Sequence, residues 1–172
     1  MSQGCPQGHC RGVEWPARAA QPDCTMARRT FVDTYLAALL AQASHLISAE
    51  VHRVVREAGL PVAEWRILAS LAGGAALPVG RLAQLVIAPQ PTVTRQLDRM
   101  AAKGLVKRMA HASDRRLTLA CITPAGERLA LALIAQAQSH ERHVLAPFGV
   151  QRATLLKQVL REIVRQHQPP LR

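Results

Sequence analysis

The stretch PVGRLAQLVIAPQPTVTRQLDRMAAKGLV, residues 78–106, decides how this chain folds. Its first ten residues carry apolar side chains at helical spacing, and then Pro89 and Pro91 force a break. Proline favours the first turn of a new helix, and Gly104 stands where that helix would end in the left-handed conformation. The stretch therefore predicts a short helix, a tight turn and a second helix that runs from Pro91 to Lys103.

The second of these helices has two faces of different chemistry. Val93, Leu97 and Met100 recur at i, i+4 and i+7 and are expected to face the core. Another face carries a hydroxyl, an amide and two guanidinium groups, which suit the base edges and phosphates of DNA. A polar, solvated face without any ligand is the alternative that this spacing leaves open. The polar set comprises Thr92, Arg95, Gln96 and Arg99.

A charged hairpin is predicted directly after this helix. The β-prone runs LVKRMA (105–110) and RLTLACI (116–122) flank the sequence HASDR (111–115). Arg115 and Arg116 are placed to reach a neighbouring minor groove, whose negative potential attracts arginine. Asp114 is expected to hold the Arg116 guanidinium and to fix the turn, which reduces the entropy lost on binding. A hairpin tip kept soluble by its charges is the alternative.

Long helices are predicted on both sides of this unit. Gly59 stands where the first would stop, and Thr123 is a suitable N-cap for a later helix that starts at Pro124. Residues 1–25 have no usable hydrophobic period. The predicted helices span 30–58, 60–72, 78–87, 91–103, 124–145 and 150–167. The fold class is therefore mainly α: a winged helix-turn-helix with a two-stranded β-wing and long N- and C-terminal dimerisation helices.

The composition points to a polyanionic partner. Lys and Arg number 22 against 11 Asp and Glu, which leaves a net charge of +11. Nucleic acid is the commonest partner for such a charge, and charge alone equally suits a sequence-neutral architectural DNA-binding protein. No uncharged run reaches the roughly 18–20 residues of a membrane span, and the N-terminus lacks the apolar core of a signal peptide. A cytoplasmic protein without a membrane partner is expected.

Catalytic motifs are missing from the sequence. It contains no CxxC, HExxH, GxxxxGK[ST], GxGxxG or GxSxG. An enzyme that uses the histidines is the alternative, but the sequence offers no nucleophile, base and orienting group as a set. We therefore expect a protein that is not an enzyme and that carries no cofactor or metal.

Several motifs, in the right order, resemble the MarR family (multiple antibiotic resistance regulators). Asp114-Arg-Arg116, LTLAC and then Ile122-Thr123-Pro-Ala-Gly126 are similar to that family's wing signature, D-x-R-x(5)-L-T-x-x-G. PTVTRQLDRMAAKGLVKR resembles its recognition helix and first wing strand, and LPVAEWRILASL resembles its second helix. The likeness covers about residues 30–167. Where the family has Ser or Thr at the start of the recognition helix, this chain has Pro89-Gln90-Pro91, which leaves capping and a Gln90 contact open.

The resemblance implies a homodimer whose two recognition helices read an inverted repeat in double-stranded DNA. It implies Thr92, Thr94, Arg95 and Arg99 as major-groove or phosphate contacts, and Arg116, braced by Asp114, as the wing contact. The division that follows is a flexible N-terminal extension (1–29), a dimerisation helix (30–58), a winged helix-turn-helix DNA-binding domain (59–123) and C-terminal dimerisation helices (124–168).

The terminal helices argue for a dimer independently of the resemblance. They carry more apolar side chains than a small winged domain can cover, and a second copy would bury them. Two-fold symmetry then predicts half-sites on the order of 10 base pairs apart. The side chains concerned are Leu129, Leu133, Ile134, Leu145, Leu155, Leu156, Leu160 and Ile163.

The resemblance also implies release from DNA, most often of a repressor, when a small aromatic acid or phenol enters the crevice between the dimerisation helices and the winged domain. Candidate lining residues are His45, Ser48 and His52, spaced i, i+3 and i+7, with Trp65 and Arg66. Arginine or histidine pairs with a carboxylate and tryptophan stacks on a ring. Ordinary surface or packing residues are the alternative.

Three further sensors stay open from the sequence. Cys24 precedes the first long helix and is a candidate for redox sensing, as some relatives sense peroxides through a cysteine near that place. His140, Glu141 and His143 with His111 are candidates for a zinc site, although surface histidines are commoner. Cys5, His9 and Cys10 form a third, weaker cluster that lacks a fourth ligand.

Overall fold

The computed structural model describes residues 30–110 and 118–168. Several predictions fall outside these described residues, namely those for the hairpin tip and for all or part of three sensor candidates. The residues concerned are Asp114, Arg115 and Arg116 at the tip, and Cys5, His9, Cys10, Cys24 and His111 among the sensors. The chain divides into two compact units, 1–40 and 41–172, and each is described by itself.

The described part of the first unit begins with a capped turn of helix. Helix α1 covers Phe31–Thr34, and the Asp33 carboxylate accepts hydrogen bonds from the backbone N–H and the hydroxyl of Thr30 at 2.7 and 2.8 Å. These hydrogen bonds lower the pKa of Asp33, because they stabilise its charged form. The Phe31 and Tyr35 rings stack with centroids 4.7 Å apart. Tyr35 is extended, with ψ at 117°, so the helix predicted to run without a break from residue 30 is interrupted there.

The remaining elements follow the predicted order closely. Helix α2, Leu36–Glu57, continues into the second unit, and a 3₁₀ turn at Ala146–Phe148 separates the last two helices. The other elements are α3 (Val62–Leu71), β1 (Leu77–Pro78), α4 (Val79–Val86), α5 (Gln90–Ala102), β2 (Val106–Ala110), β3 (Thr118–Ile122), α6 (Pro124–Leu145) and α7 (Gly149–His167). The mainly α winged helix-turn-helix is confirmed, with α4 and α5 as its helix pair. None of the helices in the described ranges is both long and apolar enough to cross a membrane.

The wing sheet has one strand more than the sequence predicts. Its three strands are antiparallel in the order β1-β3-β2, and Ala120 at its centre pairs with Leu77 on one side and Arg108 on the other. The expected two-stranded wing is therefore an incomplete description. A two-residue strand is too short to show a period of two, and Pro78 is tolerated because it lies on an edge strand.

The core of the second unit forms where α3, α4, α5 and the sheet meet. Val93, Leu97 and Met100 are fully buried, which confirms the predicted core face of α5. Gly104, with φ at +70°, ends that helix in the predicted left-handed conformation. Ile87 takes the same conformation in the turn between α4 and α5, with φ at 55°, although its β-branched side chain disfavours it. The other fully buried large side chains are Val55, Ile67, Leu68, Leu71, Leu82 and Val106.

Hydrogen bonds and a close backbone contact join the start of α6 to the turn that follows α5. Thr123, the N-cap of α6, donates its hydroxyl to the Gly104 carbonyl at 2.6 Å and accepts the N–H of Gly126 at 3.1 Å. Its own N–H donates to the carbonyl of Leu105 at 3.1 Å. A Cβ at Gly126 would lie 2.1 Å from that same carbonyl oxygen. We call this set of contacts the Gly126 junction; it explains physically why threonine and glycine stand at these two places.

We expect Gly126→Ala to lower the free energy of unfolding by about 3 kcal/mol or more, because the new methyl group collides with backbone rather than with a side chain that can move. Urea unfolding at one fixed protein concentration measures the change. The matched control is Gly80→Ala in α4, whose Cβ would meet only the Gln90 Oε1 atom, at 3.5 Å. That control should leave stability unchanged or raise it by up to about 1 kcal/mol. Equal effects of the two variants would contradict the junction.

Candidate nucleic-acid interface

Helix α5 presents most of the predicted DNA-contacting side chains to solvent. Thr92, Arg95 and Arg99 are exposed and share one face at i, i+3 and i+7; we call them the α5 face. Gln90 is exposed in the first turn of α5, and Pro89, which precedes it, supplies no side-chain cap. The hydroxyl of Thr94, half-buried, donates to the Gln90 carbonyl at 3.0 Å. The structure thus brings five of the six predicted residues of α5 to its accessible side or its first turns.

Gln96 does not lie where the sequence predicts. Its residue is only 8 % exposed, and it lines a groove of about 300 Å³ between α3, α4 and α5. The reason is that position 96 stands one residue, or 100°, from Arg95, toward the side of α5 that α3 and α4 cover. The prediction of Gln96 as an outward-facing base contact is therefore wrong. The groove's other lining residues are Val62, Ala63, Arg66, Val86, Ile87 and Ala88.

Charge is distributed unevenly from Gln90 to Ala110. This segment contains five basic residues and a single acid, Asp98. Two of the five are paired: Lys103 with Glu64 and Arg108 with Asp98. The other three have no carboxylate partner among the described residues, so the segment keeps an excess of positive charge. They are Arg95, Arg99 and Lys107.

The Glu64–Lys103 pair ties the end of α5 to α3. The Lys103 ammonium donates to both carboxylate oxygens of Glu64, at 2.8 and 3.2 Å. Glu64 is only 3 % exposed, so removal of its partner would leave a buried charge without compensation. Lys103 thus holds the end of α5 against α3.

Strand β2 adjoins α5 and is mostly exposed. Val106 is buried, whereas the four residues that follow, Lys107 to Ala110, are exposed. The base of the hairpin therefore lies beside the positive surface of α5. Together, an exposed helix face with arginines and an adjacent basic strand form an arrangement suited to the phosphates and grooves of a duplex.

Three of the five residues predicted to bind an effector, His45, His52 and Arg66, lie near one another. His45 and Arg66 are exposed and His52 is half-buried; burial first, and then the nearby cations Arg66, Arg56 and His45, lower the pKa of His52. We call these four residues, His52 and the three cations that act on it, the cationic cluster.

Two of the five predicted effector residues are committed elsewhere. The Ser48 hydroxyl donates to the carbonyl of Ser44 in its own helix, at 2.6 Å. Trp65 is 8 % exposed and belongs to the hydrophobic core. Trp65 therefore lies on the inward face of α3, and its stacking on a ligand ring stays a prediction.

A different cavity, of about 410 Å³, lies between α2 and α6. None of the five predicted residues lines it. At its edge, His140 Nε2 is 3.2 Å from Glu50 Oε2. We call it the α2–α6 cavity; its lining residues are Glu50, Val51, Val54, Val55, Leu133, Gln136, Ala137, Ser139, His140 and His143. The sequence contains one sign of this cavity: Glu50 and His140 are polar residues that interrupt the apolar faces of α2 and α6. The two residues come to face each other only after the chain folds.

Two of the described zinc candidates have different partners. His140 faces Glu50, and Glu141 pairs with Lys157 on α7 at 2.5 Å. Within residues 30–110 and 118–168, no group of three or more His, Cys, Asp or Glu side chains is arranged to hold a metal ion.

Comparison with known proteins identifies the family. The sequence model described as MarR family matches residues 58–117. The chain is also 40 % identical to a MarR family transcriptional regulator from Silicibacter pomeroyi DSS-3, with a TM-score of 0.70; the match covers 79 % of this chain and 97 % of that one. The chain belongs to the MarR family. It is therefore a DNA-binding regulator of transcription.

Further relatives are transcriptional regulators as well. The MarR family regulator described here is 29 % identical over 124 residues to PecS of Dickeya dadantii (strain 3937), which covers 70 % of this chain and 75 % of that protein. It is 26 % identical to NadR, solved in complex with 4-hydroxyphenylacetate, with a TM-score of 0.68 and coverage of 72 % and 88 %. NadR shows that a protein of this fold holds an aromatic acid.

Proposed function

We propose that this regulator is a homodimer that binds an inverted repeat in double-stranded DNA and represses transcription from it. The observation that carries the proposal is the α5 face, where Thr92, Arg95 and Arg99 stand exposed beside the basic strand β2. In this arrangement α5 enters the major groove, where an arginine fork pairs with a guanine edge and threonine contacts a thymine methyl or a phosphate. Gln90 and Thr94, in the first turns of α5, are proposed to contact the phosphates.

The hairpin completes the interface in this proposal. Lys107 lies on the exposed part of β2, next in sequence to Arg108, which pairs with Asp98 of α5; Arg115 and Arg116 follow in the sequence. These arginines are proposed to enter the neighbouring minor groove, with Asp114 as the brace of Arg116. The hairpin contact thus adds affinity, and the α5 face supplies most of the discrimination between sequences.

Exposed apolar side chains on the C-terminal helices support the homodimer. Leu155, on α7, is 60 % exposed in the single chain, and other large apolar residues of the same region are also exposed. A monomer seldom leaves so much apolar surface in water, and a second copy would cover it. We therefore propose 30–58 and 124–168 as the dimerisation segments and 59–123 as the DNA-binding domain. The exposed set is Phe148, Val150, Leu155, Leu156, Val159 and Val164.

Selection from random duplexes tests the proposal. We expect the wild-type protein to enrich an inverted repeat with half-site centres about 10 base pairs apart. We expect Arg95→Ala to bind the enriched repeat about ten-fold or more weakly, because one good arginine–base pair contributes about 1–3 kcal/mol of discrimination. Binding of Arg95→Ala to random duplex at the same salt should fall much less.

Two other results would contradict this account. Enrichment of no sequence by the wild-type protein would favour a sequence-neutral architectural role. Equal losses of affinity by Arg95→Ala for both duplexes would show that Arg95 contacts phosphate only.

The variant that tests the dimer is Leu155→Glu, which places a charge at an exposed position of the monomer. It should yield monomers in light scattering that bind a half-site without cooperativity, and dimers that persist would contradict the proposed interface.

A second function, release by a small effector, is favoured by the α2–α6 cavity. Its volume of about 410 Å³ falls in the range of small-molecule sites, about 300–1,000 Å³. Val51, Val54 and Leu133 give it an apolar wall, and Glu50 and His140 give it polar groups at the edge. NadR, a relative with the same fold, holds 4-hydroxyphenylacetate. We therefore propose an aromatic acid or phenol as the effector; redox sensing through Cys24 stays an alternative prediction.

Thermal unfolding with a panel of aromatic acids and phenols, 4-hydroxyphenylacetate among them, tests this second function. A compound present at 100 times its Kd should stabilise the wild-type protein by about 2.7 kcal/mol. We expect Val54→Trp to abolish that shift, because the indole fills the cavity. Arg66→Ala, which removes a charge from the cationic cluster, serves as the comparison. A shift lost in Arg66→Ala and kept in Val54→Trp would place the effector at the cationic cluster and contradict the cavity.

A further inference from the structure

We propose that Asp98 is a positioning residue, which fixes the hairpin strand β2 against α5 so that both meet one duplex in a set geometry. The proposal rests on the proposed function, because it assigns a role within the same DNA interface. Asp98 itself contacts no DNA in this account. It acts through Arg108, the residue that it holds.

The ion pair joins two elements that are separate in the fold. The Asp98 carboxylate accepts a hydrogen bond from Arg108 Nη1, from the last turns of α5 to the middle of β2. Arg108 stands opposite Ala120, the residue at the centre of the three-stranded sheet. The pair therefore connects α5 to the body of the hairpin and not to its tip.

The core packing of α5 and the pairing of β2 with β3 are accompanied by polar contacts near the ends of the two elements. The Gly126 junction holds the chain at Gly104 and Leu105, before β2 begins, and Glu64–Lys103 holds the C-terminal end of α5. Beyond the buried Val106, β2 is exposed. Among the described residues, Arg108–Asp98 is the side-chain hydrogen bond that links this exposed part to α5.

The charge of Asp98 is the reason to assign it a role. It is the only acid between Gln90 and Ala110, it adjoins Arg99 in sequence, and it lies three residues after Arg95. A carboxylate there repels phosphate and also neutralises Arg108, so on charge alone it opposes DNA binding. Its side chain is 54 % exposed and that of Arg108 is 35 % exposed, and pairs of that exposure contribute little to folding. The ion pair holds the hairpin in place before DNA binds, so the hairpin loses less conformational entropy on binding. This smaller entropy loss offsets the weaker electrostatic attraction to DNA.

Charge and positioning predict opposite results for one substitution. If Asp98 acts only through its charge, Asp98→Ala tightens binding to every duplex and Arg108→Ala weakens it. If Asp98 positions the hairpin, both variants weaken binding to the selected repeat, and we expect a loss of about five-fold or more for each. The double variant Asp98→Ala/Arg108→Ala keeps the wild-type net charge. Its loss should be no larger than that of the weaker-binding single variant, since both remove one interaction.

The experiment measures the affinity of these variants for the selected repeat and for random duplex at one salt concentration. The matched controls are Glu57→Ala and Arg53→Ala, which remove the partners of an exposed pair on α2, 2.8 Å apart, and change the charge in the same two directions. We expect both controls to change the affinity for the repeat less than two-fold. Tighter binding of the repeat by Asp98→Ala would overturn the proposal, and so would losses that add in the double variant.

A readout without DNA separates this proposal from the proposed function. Amide hydrogen exchange should be faster at Lys107–Met109 in Asp98→Ala than in wild type, with the thermal midpoint changed no more than in Glu57→Ala. If the wild-type protein selects no sequence, the proposed function fails, and the exchange result still reports on the hairpin. Unchanged exchange at Lys107–Met109 would overturn the positioning role whatever the DNA result.

Discussion

The arrangement of this regulator depends on the close approach of α6 to the end of α5 at the Gly126 junction. The Leu105 carbonyl occupies the space that a side chain at position 126 would need. The Thr123 hydroxyl donates a hydrogen bond to the Gly104 carbonyl, just after α5, and accepts one from the Gly126 N–H in the first turn of α6. Because this contact is made by backbone, it leaves little freedom for the two helices to shift. The hairpin leaves and returns through the same junction, so its base is fixed along with them.

The basic residues beside this junction divide between two tasks. Lys103 and Arg108 are paired with Glu64 and Asp98, and they hold α5 against α3 and β2. Arg95 and Arg99 extend from the α5 face without a carboxylate partner in the described part of the chain. A net charge of +11 alone would suit any polyanion, whereas this division gives a positive surface with a fixed shape. We infer that the fixed arrangement of these side chains determines DNA sequence specificity, and that the positive charge mainly determines DNA affinity.

Local signals explain how far the sequence could predict this structure. The core triad Val93, Leu97 and Met100, the stop at Gly104 and the cap at Thr123 depend on neighbours within a turn or two, and all were predictable. The burial of Gln96 and Trp65, the pairing of β1 with β3 and the α2–α6 cavity arise only when elements distant in sequence pack together. The periodicity of a single sequence carries no information on such contacts, and we therefore propose the effector site at a cavity that the sequence did not predict.

Photocrosslinking to the selected repeat tests most directly whether α5 and the hairpin meet the same duplex side by side. A photoreactive phenylalanine analogue is placed at Thr92 on α5, at Met109 on β2 and, as a control, at Arg53 on α2. We expect adducts from Thr92 at bases of the major groove and adducts from Met109 displaced by about half a helical turn, on the order of 5 base pairs. Adducts from Met109 no stronger than those from Arg53 would contradict this arrangement.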